Sequence, residues 1–273
     1  MIVAFVSKKG GVGKTTSAVN VAAVLARLGH RTLLVDLDSQ ASASLSLGVA
    51  RADLAPSAYD LLFAKRPAAE IVRRTATPNL DLVTASVDLV AADLDLAPLR
   101  DRELVLGRQL APLRAAYEWI LLDCPPALSV VPLSALAAAD GCVVPVVPQP
   151  LAWEGVDLLL AAVSRLRERF GAGPRLLGLL LTMADSRTRL ARETTRLLRE
   201  RFGDRLFTAA VPVCTRLAEA PAWGRPLVEA EPESRAALAY AAAARELIDR
   251  SASGETGPAS KTGVVGTDPA RHG

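Results

Sequence analysis

The segment SKKGGVGKTT, residues 7–16, brings together residue types that bind phosphate. It contains three of only five lysines in a chain that has 27 arginines, so lysine is placed here selectively. Glycines allow the backbone to curl until successive amides point at a phosphate chain, and the start of a following helix adds its positive dipole end. A compact ammonium also fits a tight cage of phosphate oxygens better than a planar guanidinium does. We therefore predict a phosphate-binding loop that consists of Gly10, Gly11, Val12, Gly13, Lys14, Thr15 and Thr16.

Each polar side chain of this loop has a predicted contact if the segment is a P-loop, which requires a strand before it and a helix after it. Lys14 would lie against the β- and γ-phosphates, Thr15 would bind Mg²⁺ through its hydroxyl, and Thr16 would reach the α-phosphate. The alternative is an ordinary glycine-rich turn with solvated lysines. The combination of strand, glycines, Lys-Thr pair and helix favours the nucleotide site.

Carboxylates follow two of the apolar runs. Asp36 and Asp38, in LLVDLDSQ, stand two residues apart, so both side chains leave the same face of a strand near its carboxyl end. Two adjacent carboxylates repel each other unless a cation or a water network lies between them. Asp123 ends a second apolar run in EWILLDCPP. These three residues are candidates for a metal and water site, and solvated strand ends are the alternative.

Short apolar runs alternate along the chain with longer, alanine-rich amphipathic runs. The predicted strands are MIVAFVS, RTLLVDLD, LDLVTA, EWILLDCP, CVVPVVP, LLGLLLTM and LFTAAVP. The predicted helices are TTSAVNVAAVLARLG, LVLGRQLAPLRAA, VVPLSALAAAD, WEGVDLLLAAVSRLRERFG and RLARETTRLLRERFG. This alternation predicts an α/β fold whose mostly parallel central sheet carries helices on both faces. Together with the phosphate loop, it predicts a single-domain P-loop NTPase.

Composition sets the limits of the domain. The chain has 273 residues, of which 1–250 form the predicted domain and 251–273 a polar tail that we expect to be disordered. No run of about 20 apolar residues suggests a membrane span, and the apolar N-terminus is too short for a signal peptide. The three cysteines show no metal-ligand or disulfide spacing. We expect a cytoplasmic protein.

The seven residues KGGVGKT, which open with Lys9, resemble the deviant Walker A loop of the ParA/MinD family of P-loop ATPases. Three further stretches are similar to the ParA/Soj partition ATPases of that group: VVPQPLAWEGVDLLL, LLLTMADSRTRLA and VPVCTRLAEAPAWGRPL. The resemblance runs from about residue 2 to residue 250.

The resemblance implies a weak, partner-stimulated ATPase that binds ATP and Mg²⁺ and forms an ATP-dependent homodimer. Lys9 would reach the phosphates of the partner subunit and act in catalysis with Lys14 and Asp38, which would orient the attacking water. Asp123 would be the Walker B carboxylate and Asp36 would support the metal, together with Thr15. Adenine contacts would come from Pro212 and Cys214.

Some positions depart from the family pattern. The switch sequence D-P-Q-G-N reads DSQAS here, with Ser39, Ala41 and Ser42 around Gln40. After the second carboxylate run, Ser129 and Ser134 replace an expected glycine and asparagine. The altered switch keeps open the possibility of a nucleotide-binding scaffold without turnover.

The excess positive charge lies in residues 185–225, which contain nine arginines and five acidic residues. At 3.6 residues per turn, Arg189, Arg192, Arg196 and Arg199 share one helix face, and we expect leucines 190, 197 and 198 to be buried opposite. Such a stripe suits duplex phosphates regardless of base sequence, although a solvated helix face explains it too. Family resemblance favours DNA, and the predicted DNA contacts are Arg187, Arg189, Arg192 and Arg216.

The leading hypothesis is an ATPase switch that binds nonspecific double-stranded DNA, associates with the nucleoid and segregates chromosome or plasmid DNA under a ParB-like stimulating protein. The alternative is a MinD-like or flagellar-placement ATPase on a membrane, which needs a basic amphipathic C-terminal helix that the tail composition does not offer. A metal-cluster carrier would need paired cysteines, which the sequence lacks.

Overall fold

Eight strands form one sheet in the computed structural model, which describes residues 1–150, 152–171, 173–185 and 187–253. The strands are β1 (Ile2–Phe5), β2 (Thr32–Asp36), β3 (Arg73–Arg74), β4 (Leu80–Val83), β5 (Trp119–Asp123), β6 (Gly141–Val146), β7 (Arg175–Ala184) and β8 (Leu206–Pro212). Their order across the sheet is β3-β4-β2-β5-β1-β6-β7-β8. All neighbouring pairs are parallel except β3 and β4 at the edge.

Helices connect these strands and cover the sheet. In the described ranges they are α1 (Lys14–Arg27), α2 (Ser42–Ser46), α3 (Ala58–Leu62), α4 (Ala68–Ile71), α5 (Leu89–Leu96), α6 (Val105–Leu110), α7 (Val130–Ala138), α8 (Ala152–Phe170), α9 (Arg189–Phe202), α10 (Thr215–Trp223), α11 (Leu227–Ala230) and α12 (Arg235–Ala252). Short 3₁₀ turns occupy Arg51–Asp53, Arg102–Leu104, Ala111–Leu113 and Gly203–Arg205. None of the helices in these ranges has the length and apolarity needed to cross a bilayer.

Alternating side chains of the central strands enter two separate hydrophobic clusters. On β1, Val3 and Phe5 pack with α1 and α12 on one face, whereas Ile2 and Ala4 pack with α6, α7 and α8 on the other. Burial on both faces explains why these strands are apolar along their whole length. The predicted α/β fold with a mostly parallel sheet and helices on both faces is therefore confirmed.

The strand register brings the carboxyl ends of three strands to one level. Phe5 at the end of β1 pairs with Asp123, and Asp123 also pairs with Asp36 at the end of β2. Strands β2 and β5 lie on one side of β1 in the sheet, and β6 lies on its other side, so the strand order changes direction at β1. In open parallel sheets a ligand crevice forms at such a point, outside the carboxyl ends of the strands.

All seven predicted strands are present, and the structure adds the two-residue β3, whose arginines carry no strand pattern. The five predicted helices are also present, and the described ranges contain seven more. Most of these are too short for a periodic pattern to show, and α10 contains Pro221, which normally ends a helix. Helix α12 runs two residues past the predicted domain boundary at 250. The rest of the predicted tail, 254–273, lies outside the described residues.

Helix α9 corrects one expectation. Leu198 is buried as predicted, but Leu190 and Leu197 are 55% and 37% exposed. The buried face instead consists of Ala191, Thr194, Leu198 and Phe202. These residues follow i, i+3, i+7 and i+11 spacing, so the helix packs through a narrow stripe that includes small side chains and leaves two leucines outside.

Candidate functional site

The predicted phosphate loop lies between β1 and α1, as a P-loop requires. Gly11 and Gly13 have φ angles of +70° and +75°, in the left-handed region that disfavours a side chain. Gly13 is the N-cap of α1, and no side chain caps the helix there. The first amides of α1 are therefore available to an anion, with the helix dipole behind them.

Side-chain hydrogen bonds from β7 and α1 hold this loop in shape, and a residue of α12 contacts one of the two donors. The Thr182 hydroxyl of β7 donates to the Val12 carbonyl at 2.8 Å, in a buried position. The Ser17 hydroxyl of α1 donates to the Gly13 carbonyl at 2.7 Å, and it lies 3.3 Å from the Tyr240 hydroxyl of α12. Sequence reasoning missed these supports, because they depend on which strand and helix lie beside the loop.

Asp123 and Lys14 form the buried charged centre of the site. Lys14 is 7% exposed and Asp123 is fully buried, and neither carboxylate oxygen of Asp123 has a hydrogen-bond partner among the described residues. Burial raises the pKa of Asp123 to about 7, although the charge of Lys14 and, to a smaller extent, Thr15 oppose the shift. A buried carboxylate without a partner is costly, so this geometry indicates a site for a cationic group.

The surroundings of Asp123 suit magnesium. Mg²⁺ prefers oxygen ligands and is usually held by one or two carboxylates, waters and substrate phosphates rather than by a complete protein cage. Asp123 offers an unused carboxylate, and Thr15, half-buried at the start of α1, offers a hydroxyl. The donor set therefore fits Mg²⁺ bound together with a nucleotide.

Asp36 faces a different set of neighbours from those of Asp123. One of its oxygens accepts from the Ser44 backbone N–H at 2.9 Å and from the Ser44 hydroxyl at 2.7 Å, and the other accepts from the Asp38 N–H at 3.2 Å. Burial raises the pKa of Asp36 to about 6, against these hydrogen bonds. The carboxylate thus anchors the segment between β2 and α2, while a direct contact with the metal stays a prediction.

The switch segment after β2 contains a strained residue. Asp38 is half-buried and accepts from the Gln40 N–H at 3.0 Å, and its carbonyl accepts from the Ala41 N–H at 2.8 Å. Ala41 is fully buried with a φ of +55°, at the position where the family pattern has glycine. Ala41 therefore adopts a backbone conformation that is typical of glycine, at an energetic cost.

Lys9 lies at the exposed start of the loop, separate from the buried Lys14. Its ammonium donates to the Gln149 side-chain carbonyl at 2.7 Å. Gln149 follows β6 in the stretch VVPQP and is a further polar residue of this edge that the sequence did not single out. Its position just after an apolar strand is the signal that would have found it.

The predicted adenine contacts lie at the end of β8 and the start of α10. Pro212 is the last residue of β8, and Cys214 is the N-cap of α10 and packs against the cluster that contains α1 and α12. Cys214 is half-buried, whereas Cys124 and Cys142 are buried. Adenine contact by Pro212 and Cys214 stays a prediction.

The four predicted DNA-binding arginines have different surroundings. Arg187 is highly exposed but pairs with Asp185 at 2.9 Å, and Arg192 donates to the Arg187 carbonyl. Arg216 bonds to Glu219 at 2.8 Å and to Glu231, and lies over the Trp223 ring at 4.5 Å. Arg189 is exposed, and its side chain makes no hydrogen bond or ion pair with the described residues. Residues 187, 189 and 192 thus lie together at the start of α9, whereas Arg216 belongs to α10.

Comparisons with known proteins agree with this geometry. The family model described as an AAA domain matches residues 1–173. Chromosome-partitioning ATPase Soj of Treponema pallidum is 40% identical over 246 residues, which cover 90% of this chain and 96% of Soj. Chromosome partitioning protein ParA of Caulobacter vibrioides is 35% identical over 251 residues, which cover 91% of this chain and 94% of ParA.

A solved structure extends the likeness to three dimensions. Cobyrinic acid a,c-diamide synthase from Mycobacterium smegmatis, with a bound ATP analogue and magnesium, superimposes with a TM-score of 0.82 and is 32% identical. The match covers 94% of this chain and 97% of the synthase.

Proposed function

The chain belongs to the ParA/Soj family of chromosome-partitioning ATPases, and from that premise we propose that it is an ATP-driven switch on nonspecific DNA. ATP and Mg²⁺ close two subunits into a homodimer, the dimer binds duplex DNA, and hydrolysis releases it. The output is segregation of chromosome or plasmid DNA in the cytoplasm, on the nucleoid. A ParB-like protein sets the rate of turnover.

One observation carries the nucleotide part of this proposal: the buried, unpartnered carboxylate of Asp123 beside the phosphate loop. Bound Mg²⁺ would supply charge compensation between Asp123, the Thr15 hydroxyl and the phosphates. The loop amides and Lys14 bind the phosphate oxygens and stabilise the negative charge of the transition state. Lys14 also balances the charge of Asp123 when magnesium and nucleotide leave.

Asp38 is the residue that we assign to the attacking water. The water oxygen bonds to the γ-phosphorus while the bond from that phosphorus to the bridging oxygen of ADP breaks, and inorganic phosphate leaves. Asp38 lies at the end of β2, half-buried, and its second carboxylate oxygen is not taken by the turn that holds the first. It therefore has the exposure and the spare acceptor that orienting a water requires.

Dimer formation and DNA binding depend on two exposed sets of cations. Lys9 is exposed at the mouth of the site, where a second subunit brings a second triphosphate and therefore more negative charge. The stripe on α9 offers guanidinium groups to duplex phosphates, and Arg189 is unpaired among the described residues. Neither role needs a base-specific contact, so we expect binding that weakens steeply as salt rises.

Duplex retention and phosphate release, measured together, test the proposal. The wild-type protein should release phosphate from ATP, and it should retain duplex DNA with ATP but not with ADP. Lys9→Ala should lose the retention that the wild type shows with ATP. Equal DNA retention with ATP and with ADP would contradict the proposed switch. Absence of phosphate release at every protein concentration would contradict the proposed ATPase activity.

A further inference from the structure

A cleft opens at the amino-terminal edge of the sheet, where β2, β4 and β5 begin. Its volume is about 380 Å³, which is within the range of small-molecule sites. Arg31 comes just before β2, Asp81 lies in β4 and Tyr117 comes two residues before β5. Strands β2 and β5 end in Asp36 and Asp123, so this cleft and the metal site lie at opposite ends of the same two strands.

Two arginines line this cleft with free guanidinium groups. Arg31 and Arg74 are exposed, and their side chains make no hydrogen bond or ion pair within the part of the chain that the structure describes. Arg74 is the cross-strand neighbour of Asp81 in the antiparallel pair β3–β4, so their side chains leave the same face. Burial, and then the contact with Asp81, raises the pKa of Tyr117, while the charges of the two arginines oppose this rise. Both cations therefore lie near the Tyr117 hydroxyl.

Beside the arginines, the cleft holds a tyrosine and a carboxylate that are joined by a hydrogen bond. The Tyr117 hydroxyl donates to one oxygen of Asp81 at 2.6 Å, and both residues are half-buried. The other Asp81 oxygen makes no hydrogen bond with the described residues, so it can accept from a ligand. Glu118 follows Tyr117, but one of its oxygens lies 2.9 Å from the His30 Nδ1 and the other accepts from the Arg31 N–H at 3.2 Å. Asp81 is thus the carboxylate that a ligand would meet.

We propose that this cleft binds a small phosphomonoester that also carries hydroxyl groups, such as a sugar phosphate or a nucleoside monophosphate. Arg31 and Arg74 donate to the phosphate oxygens through charge-assisted hydrogen bonds. Asp81 accepts from a hydroxyl group of the ligand, and Tyr117 adds an aromatic surface to the lining. The inference goes beyond the proposed function and does not depend on it, because these residues take no part in the ATP site.

Other ligands fit these groups less well. Inorganic phosphate would pair with the arginines, but the Asp81 carboxylate would repel it and gain no strong donor. A neutral sugar would leave two guanidinium groups without a counter-ion. Duplex DNA has phosphates, but its sugars lack the 2′-hydroxyl and their other oxygens are esterified within the chain, so it offers Asp81 no hydroxyl. The combination of two cations and one free acceptor therefore favours a phosphorylated polyol.

Calorimetric titration with ribose 5-phosphate tests the site. The protein is saturated with ADP and Mg²⁺, so that the phosphate loop is occupied and does not bind the probe. We expect one ribose 5-phosphate per chain, with a Kd below about 1 mM. Arg31→Gln and Arg74→Gln should each weaken binding about tenfold, because each removes charge-assisted hydrogen bonds to the phosphate. Both arginines are exposed, so the two variants should keep the unfolding midpoint of the wild type. Arg245→Gln, which removes an exposed arginine of α12, is the matched control and should bind like the wild type.

Selectivity between two probes tests the role of Asp81. The wild type should bind ribose 5-phosphate more tightly than inorganic phosphate. Asp81→Asn weakens the acceptor for the sugar hydroxyl and removes the repulsion of a bare phosphate. The ratio of the two affinities should therefore fall several-fold in this variant.

Several results would overturn the inference. These are no binding of ribose 5-phosphate while ADP occupies the phosphate loop, equal weakening by Arg245→Gln, or an unchanged affinity ratio in Asp81→Asn. Displacement of the probe by a duplex oligonucleotide would also overturn it, since the two arginines would then belong to a DNA surface. The titrations do not depend on phosphate release, DNA retention or dimer formation, so this inference and the proposed function fail separately.

Discussion

Asp123 is buried without a hydrogen-bond partner for its carboxylate among the described residues. Replacing it should therefore have opposite effects on stability and on nucleotide binding. Asp123→Asn keeps the shape but removes the buried charge, so the nucleotide-free protein should become more stable by on the order of 1–3 kcal/mol. Thermal unfolding midpoints in the absence and presence of ATP and Mg²⁺ measure this. We expect the variant to unfold at a higher temperature without ligand and to gain much less than the wild type when ligand is added.

The stability difference between Asp123→Asn and the wild type should depend on pH, in a direction that the pKa of Asp123 determines. The pKa of Asp123 is raised in the folded protein to about 7, from an ordinary value near 3.8. The folded state therefore holds the proton more tightly, and this contribution to stability is present at low pH and lost as pH rises through the folded-state pKa. The advantage of Asp123→Asn should grow from pH 5 to pH 7 and then level off. A constant difference over that range would contradict the role assigned to the buried charge.

Ala41 tests backbone strain in the switch segment. Its φ of +55° costs an alanine roughly 1 kcal/mol relative to a residue without a Cβ, so Ala41→Gly should raise the free energy of unfolding by up to about that amount. Ala64, exposed with a φ of +50°, offers a matched control outside the site. Ala64→Gly should stabilise by a similar amount and leave ATP turnover unchanged, whereas Ala41→Gly should alter turnover. Destabilisation by both substitutions would show that the added freedom of glycine in the unfolded chain outweighs the relief of backbone strain.

At the scale of elements, the phosphate loop depends on its neighbours as much as on its own glycines. Thr182→Val keeps the side-chain shape but leaves the buried Val12 carbonyl without its donor. We expect a loss of about 1–3 kcal/mol in stability and a several-fold weaker affinity for ATP. The control is Thr84→Val, which removes a comparable buried hydrogen bond to the Leu54 carbonyl at 2.6 Å, away from the loop. It should cost similar stability without a change in ATP affinity, as measured by nucleotide titration.

The contrast between β1 and α9 shows which elements the sequence predicts. Strand β1 and the loop after it carry local signals: an unbroken apolar run, then glycines and Lys-Thr before a helix. The orientation of α9 depends on which of its faces meets the sheet, and the sequence predicted burial for Leu190 and Leu197 that the fold does not provide. The partners of Asp36 and Lys9, namely Ser44 and Gln149, likewise come from separate segments that only the sheet brings together.

The arginines of α9 and Arg216 of α10 should differ in what they contribute to DNA binding. Arg189 and Arg199 are exposed, and their side chains make no hydrogen bond or ion pair with the described residues, whereas Arg216 is already paired with Glu219 and Glu231. Arg189→Ala/Arg199→Ala should weaken duplex binding in the presence of ATP and lower the slope of log affinity against log salt by about 2, one for each phosphate contact. Arg216→Ala should leave that slope nearly unchanged. If Arg216→Ala lowered the slope as much as the double variant does, the prediction would be wrong, and DNA binding would depend on the summed charge of a larger basic surface.

The whole molecule has a net charge of only +3, so its behaviour depends on where the charges lie. One edge of the sheet collects Lys9, Lys14 and the carboxylates at the ends of β2 and β5, while α9 carries arginines on a separate surface. We expect this separation to let nucleotide and DNA bind one chain at the same time, which a switch requires.

The final prediction concerns association of two whole molecules. Two triphosphates brought face to face repel strongly, and an exposed ammonium at the mouth of each site lowers that repulsion. With ATP, Mg²⁺ and an Asp38→Ala background that blocks turnover, sedimentation velocity should show dimers for the parent and monomers for Lys9→Ala. Lys8→Ala is the matched control, because Lys8 is also exposed one residue away and has no assigned contact. Its dimers should persist. If the two lysine variants dimerise alike, the charge at position 9 is not what joins the subunits, and the switch would need another contact to sense the nucleotide.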